Sequence, residues 1–355
     1  MIKKTFYFLF LLLMTANATP LQAAKKKMFS SEAEAKQYML YHYNKGVNDY
    51  NELNWRDACD EFEKVVRFFP ESEVAPQASF YLGVSYFERY EYDFANCEFS
   101  AYLKSSEQPE YFEETLYYKF CIAEHLKYNK RRPFTVRYLP KWLEGQSLAL
   151  EIYDELIACV PNHELAIKAL YSKATLLQTM REYRESIESY QLLIRRFPKD
   201  ELTPASYLRI SQAYYQLSQL EFQNPDLLAL ADVNARKFRE NFPRDERVAQ
   251  AENYSLMIKE VYAKGLCSVG QFYERTHHPD AAAIYYQSAI EDYPNTHVAT
   301  YCRLRMNQLN YNDEEKAKVI PLRAEQQING PMMLDPQKMY EPTALPLNDF
   351  DDDDA

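Results

Sequence analysis

One spacing recurs five times along the chain and constrains its fold more than any other feature. A small residue is followed four places later by a residue that is aromatic in four of the five sets, and a proline stands twelve places after the small residue. The sets are Ala58, Phe62 and Pro70; Ala149, Tyr153 and Pro161; Ser186, Tyr190 and Pro198; Ala231, Ala235 and Pro243; Ala282, Tyr286 and Pro294. A four-residue step puts two side chains on one face of a helix. Small residues let a second helix approach closely, and proline stops the helix that precedes it. Each set therefore reads as the second helix of a hairpin whose apolar face only a neighbouring hairpin can bury.

The spacing resembles the tetratricopeptide repeat, a helical hairpin of about 34 residues. A sixth unit matches through its first helix, with Leu82-Gly83, Tyr86, Tyr92, Ala95 and Phe99, its closing proline displaced to Pro109. First helices elsewhere echo it at Gly46, at Ala174 and Leu177, and at Gly270 and Tyr273. The expected fold is all-α, a right-handed superhelical solenoid over residues 31–320 with about six units and a capping hairpin at 300–320. Composition agrees. The chain has only six glycines in 355 residues, none close enough to another to form a phosphate-cradling loop or a nucleophile elbow.

Two units break the period. Residues 128–145 separate the helices of the third unit and carry Lys130, Arg131, Arg132 and Arg137; residues 222–230 lengthen the fifth around Asn224-Pro225-Asp226. The basic insert reads as a solvated loop or as a docking site for an acidic partner or anionic headgroups. After residue 320 the periodicity stops. Residues 321–355 form a Pro-rich acidic tail expected to be disordered, with seven acids and one base from 331 on.

Before the repeats, Lys3 and Lys4 precede an apolar run over 6–14 and then small residues, the pattern of a secretory signal. Cleavage is expected after Ala23, with Ala16-Asn17-Ala18 as the other candidate. The run is shorter than the roughly 20 apolar residues of a spanning helix. The first cysteine is Cys59, so no lipid-bearing cysteine follows the signal. The expected organisation is a signal at 1–23, N-terminal repeats at 24–162, C-terminal repeats at 163–320 and the tail. Without residues 1–23 and 331–355, 38 bases face 45 acids, which argues against a nucleic-acid partner.

Chemistry-bearing residues are sparse in pattern. The six cysteines are Cys59, Cys97, Cys121, Cys159, Cys267 and Cys302, with no C-x-x-C spacing; they read as packed thiols, with Cys59 and Cys97 the one conceivable bridge. His277 and His278 are adjacent beside Pro279, which is poor geometry for zinc. No catalytic, metal or cofactor site is expected, and the chain reads as no enzyme. Binding is expected from the first helices, whose second, fifth, ninth and twelfth positions line the groove in tetratricopeptide proteins. Those positions are Leu40, Tyr43, Val47 and Tyr50 in the first unit and Gln77, Phe80, Val84 and Phe87 in the second. In the fourth they are Lys168, Tyr171, Thr175 and Gln178. The apolar N-terminal set suits a peptide with exposed hydrophobic side chains, or else is covered by residues 24–38.

Within the repeats, second helices ending in Phe69-Pro70, Phe197-Pro198, Phe242-Pro243 and Tyr293-Pro294, together with the stretch 262–296, resemble the outer-membrane assembly factor family BamD, also called ComL. The resemblance implies a periplasmic scaffold, peripheral to the inner face of the outer membrane. It would be bound to the barrel-forming subunit and would help to receive unfolded outer-membrane protein segments. It also implies substrate near Tyr43 to Phe87 and a partner contact near Tyr273, Arg275 and Tyr286. The chain departs from that family in lacking the lipid-bearing cysteine and in having extra N-terminal hairpins, so membrane association would run through partners. The other reading is a periplasmic adaptor coordinating cell-wall synthesis with envelope constriction.

Overall fold

The computed structural model describes residue 29 and residues 31–105, 109–128, 145–221 and 224–309. The expected signal, the interior of the basic insert with Lys130, Arg131, Arg132 and Arg137, the second half of the expected capping hairpin and the expected tail lie outside the described residues. Thirteen α-helices and no strand occur among the described residues: α1 Glu32–Asn51, α2 Trp55–Phe68, α3 Ala75–Glu88, α4 Tyr92–Ser105, α5 Phe112–Tyr128, α6 Gly145–Cys159, α7 Glu164–Thr179, α8 Tyr183–Arg196, α9 Leu202–Leu220, α10 Pro225–Asn241, α11 Arg247–Arg275, α12 Pro279–Asp292 and α13 His297–Gln308. The first twelve form six hairpins of the tetratricopeptide kind, and α13 opens the cap. They divide into two compact units, residues up to 213 with 236–248, and residues 214–235 with those from 249 on.

In the first unit each odd-numbered helix from α1 to α7 packs on its hairpin partner. Between hairpins α2 packs on α3, α4 on α5 and α6 on α7, and α1 also touches α3, α3 touches α5 and α5 touches α7. This alternation is the mark of stacked hairpins. The small residues predicted to admit a neighbouring helix, Ala58, Ala149 and Ser186, are fully buried, as are Phe62, Tyr153 and Tyr190 four places on. Ala231, Ala282 and Tyr286 are likewise fully buried.

Two turns repeat. At the ends of α2, α8 and α12, the residue before proline leaves the helical region: Phe69 has φ −132 and ψ 51, Phe197 −128 and 61, and Tyr293 −133 and 58. Proline sterically excludes the helical conformation from the residue before it. Each aromatic carbonyl then accepts a bond from the amide three places on, as from Ser72, Asp200 and Thr296. Within hairpins the chain turns through a left-handed residue, Leu53, Tyr90, Arg181 or His277, with φ of 62 to 68. Amides just beyond reach back five residues, as Asn54 does to Asp49 at 2.8 Å and His278 to Tyr273 at 2.9 Å. That is the glycine C-cap geometry built without glycine.

Of the extra residues of the fifth hairpin, 225–230 are helical: α9 has 19 residues and α10 begins at Pro225. Asn224 accepts the Asp226 amide at 3.1 Å and so caps α10, and its carbonyl accepts the Tyr262 hydroxyl.

Candidate interaction surface

The hairpin register follows from one packing relation. Gly46, Gly83, Ala174 and Gly270 each stand sixteen places before a fully buried aromatic, Phe62, Phe99, Tyr190 and Tyr286. In the third hairpin Tyr153 donates to Glu124 at 2.6 Å as Tyr190 pairs with Thr175 at 3.0 Å. Ala123 is therefore the equivalent small residue, which the long insert hid from sequence comparison. Counted from it, α5 presents Tyr117, Phe120, Glu124 and Lys127 at the four groove positions, and α11 presents Lys264, Cys267, Gln271 and Glu274.

At the N-terminal end the expected set divides. Leu40 is exposed, and Tyr43, Val47, Tyr50 and Phe87 are half-buried. Phe80 and Val84 are not available as a lining: they are 5% and 3% exposed. The reason lies in the displaced connection after α4. It lays Tyr111 flat on Phe80, centroids 4.4 Å apart at 13°, with Tyr102 at 5.5 Å. The Tyr43 hydroxyl donates to Gln77 at 2.9 Å, and Gln77 donates to Glu110 at 3.0 Å, tying α1, α3 and the approach to α5. Tyr50 lies 4.9 Å from Tyr81; burial, helped by nearby Tyr118, Tyr81 and Glu88, pushes its hydroxyl up to about 12. These phenols stay neutral and act as hydrogen-bonding, apolar surface. Exposed large apolar groups near this set in sequence are Tyr41 on α1, Leu53 and Tyr90 at the hairpin turns, and Tyr117 and Tyr128 on α5.

In the fourth hairpin Lys168 is exposed and paired with Glu164 at 2.6 Å, while Gln178 is buried. Behind this face, Lys119 of α5 is 1% exposed, yet it reaches Asn96 at 2.8 Å, Ser100 at 2.6 Å and Glu155 at 2.7 Å. Burial lowers its pKa, and Glu155 opposes the shift.

In the second unit, the expected partner contacts also divide. Arg275 is exposed at the end of α11, and Tyr273 is half-buried, stacked on Tyr285 at 5.4 Å and 9°. Tyr286 is fully buried, its hydroxyl donating to Glu274 at 2.9 Å, so it supports this surface from below and cannot touch a partner. Beside them Phe272 is 53% exposed, a residue sequence reasoning passed over although it directly precedes Tyr273. Leu304 on α13 is 60% exposed. A cleft of about 540 Å³, lined in part by Leu256, Glu260, Tyr293 and His297, opens beside α11. Among the described residues no helix is long and apolar enough to cross a membrane.

The cysteines are all free thiols. Cys59 is buried against Arg89, and burial raises its pKa to about 11; Cys97 is exposed, so the bridge conceived between them is not formed.

No protein-family model matches the chain, and no curated protein matches it. It is similar to the crystal structure of a MamA protein at 14% identity over 64% of this chain and 96% of that one, with a TM-score of 0.34. It is also similar to a tetratricopeptide repeat protein from Parabacteroides merdae at 13% identity over 81% of this chain and 98% of that one, with a TM-score of 0.31. The hairpin architecture itself rests on this chain's own helix pairing, turns and aromatic packing.

Proposed function

We propose that the chain is a non-catalytic protein-interaction scaffold of the cell envelope, working with the machinery that assembles outer-membrane β-barrels. In this reading it binds the barrel-forming subunit and receives unfolded barrel segments. The observation that carries the reading is at the end of α11, in the stretch that resembles the BamD family. There exposed Phe272 and Arg275 flank Tyr273 above a rigid floor of Tyr285 and Tyr286. An exposed aromatic beside an arginine on an ordered base is the composition of an interface hot spot. Exposed Leu40, Tyr41 and Tyr117 on first helices of the other unit supply apolar contacts of the kind an unfolded segment uses. In this reading membrane association runs through the barrel partner.

The test is a mild-detergent pull-down of the tagged chain from its own envelope, beside a Phe272→Glu, Arg275→Glu variant checked for unchanged helix content. Recovery of a large outer-membrane β-barrel with periplasmic repeats, lost with the variant, supports the proposal. Recovery of cell-wall synthases or constriction proteins instead overturns it in favour of the adaptor.

A further inference from the structure

The thiols of Cys267 and Cys302 lie together in the second unit. Cys267 is on α11 and Cys302 on α13, 5% and 0% exposed, and both belong to a small buried cluster with Ala282, Tyr286, Ala289 and Met306. The two helices are held in register on either side of this pair. Toward the start of α13, Glu260 accepts the amides of His297 and Val298 at 3.0 and 3.1 Å. Toward its end, Glu274 accepts from Arg305 Nε at 3.1 Å, and Gln271 donates to the Tyr301 hydroxyl at 3.3 Å. Cys267 falls midway between Glu260 and Glu274, and Cys302 falls midway along the facing stretch of α13. Packed helix axes stand roughly 8–10 Å apart, so a bridge requires both side chains to turn into the seam. Both sulfurs are buried in that one cluster, between the two sets of cross-helix bonds, so both side chains turn into the seam.

We infer that Cys267 and Cys302 are a disulfide site, joined on oxidation to staple the last described helix to the long helix α11. The bond forms by exchange with a donor disulfide. One of the two cysteines, as its thiolate, attacks one donor sulfur and displaces the first donor thiol, leaving a mixed disulfide. The other cysteine, losing its proton, then attacks the cysteine sulfur of the mixed disulfide and expels the second donor thiol. Two cysteine thiols are oxidised, one donor disulfide is reduced to two thiols, and the two protons pass to the leaving sulfurs. Because both sulfurs are buried, exchange takes place while α13 is still undocked or transiently open.

The test is to incubate the purified full chain with oxidised glutathione, denature it without reductant, and label it with a maleimide. Of the six thiols, four should label, and all six should label after reduction. Trypsin should release the peptides 265–275 and 276–303 as one cross-linked species. Cys267→Ser and Cys302→Ser should each label all five remaining cysteines and lose that species, whereas Cys97→Ser should keep it. Reduction should lower the unfolding temperature of the wild type but not of Cys302→Ser. Labelling of all six wild-type thiols after oxidation, or a cross-link joining any other pair, overturns the inference.

Discussion

The β-carbon that Gly83 lacks would stand 2.7 Å from Cε1 of Phe99, inside the limit that real side-chain contacts respect. The same relation recurs between Gly46 and Phe62 at 2.9 Å and between Gly270 and Tyr286 at 2.6 Å. Glycine serves here to let one helix rest on the face of a ring, and the ring is what closes each hairpin.

Gly83→Ala should therefore destabilise the chain although alanine favours a helix by about 1 kcal/mol over glycine. Phe99 is fully buried and has no room to swing away, so overpacking of about 1–3 kcal/mol prevails. Urea unfolding should show a loss of roughly 1 kcal/mol, larger for Gly270→Ala and smaller for Gly46→Ala. Adding Phe99→Leu to Gly83→Ala should recover part of it. A gain in stability from Gly83→Ala would refute the packing argument.

How much of this was legible in the sequence depends on what carried it. The spacing from small residue to proline located the second helices because each of its members has a fixed local duty. Ala58 and Ala149 admit a neighbour, and proline bends the chain at Phe69. The groove was less legible, since whether Phe80 faces solvent is decided by Tyr111, thirty-one residues away on a connection of irregular length. Tyr286 shows the opposite confusion. The spacing that made it a repeat aromatic already assigned it to the interior, beneath Gly270. The Cys267–Cys302 pair left no local pattern, because its geometry depends on the register between α11 and α13.

Leu53 occupies the left-handed region with φ 62 and is 66% exposed. A side chain there costs roughly 1–2 kcal/mol that glycine avoids, against about 0.5–1 kcal/mol for glycine's greater freedom when unfolded. Leu53→Gly should raise stability by about 0.5 kcal/mol, and Leu53→Val, with a branch at Cβ, should lower it by about 1 kcal/mol. Thermal unfolding of the three forms should rank them glycine, leucine, valine; a valine form at or above the leucine form would contradict the turn geometry.

Glu61 sits at the meeting point of Lys45 at 2.7 Å, Lys64 at 3.1 Å and His42. Burial works against its charge, but hydrogen bonds from Lys45, His42 and Lys64 outweigh it and hold the carboxyl at about 2. A carboxyl lowered on folding stabilises above its unfolded value, near 4.5, and the contribution disappears as pH falls toward 2. Glu61→Gln should cost on the order of 2 kcal/mol at pH 6, with the gap to wild type closing between pH 4.5 and 2. An unchanged gap across that window would remove Glu61 from the account.

Glu98 should behave in the opposite sense. Its Oε2 is buried with no hydrogen-bond partner among the described residues; burial first, then the charge of Glu63, raises the carboxyl to about 7 against a bond from Ser79. The folded state thus holds the proton more tightly than the unfolded chain. The stability this confers is complete below about 4.5 and is lost as pH rises through 7. Glu98→Gln keeps the shape without the charge. It should match wild type near pH 4.5 and exceed it by on the order of 2 kcal/mol at pH 8. Urea midpoints across that range decide the matter: parallel curves for the two proteins would mean that Glu98 ionises as readily folded as unfolded, and that its buried oxygen is solvated after all.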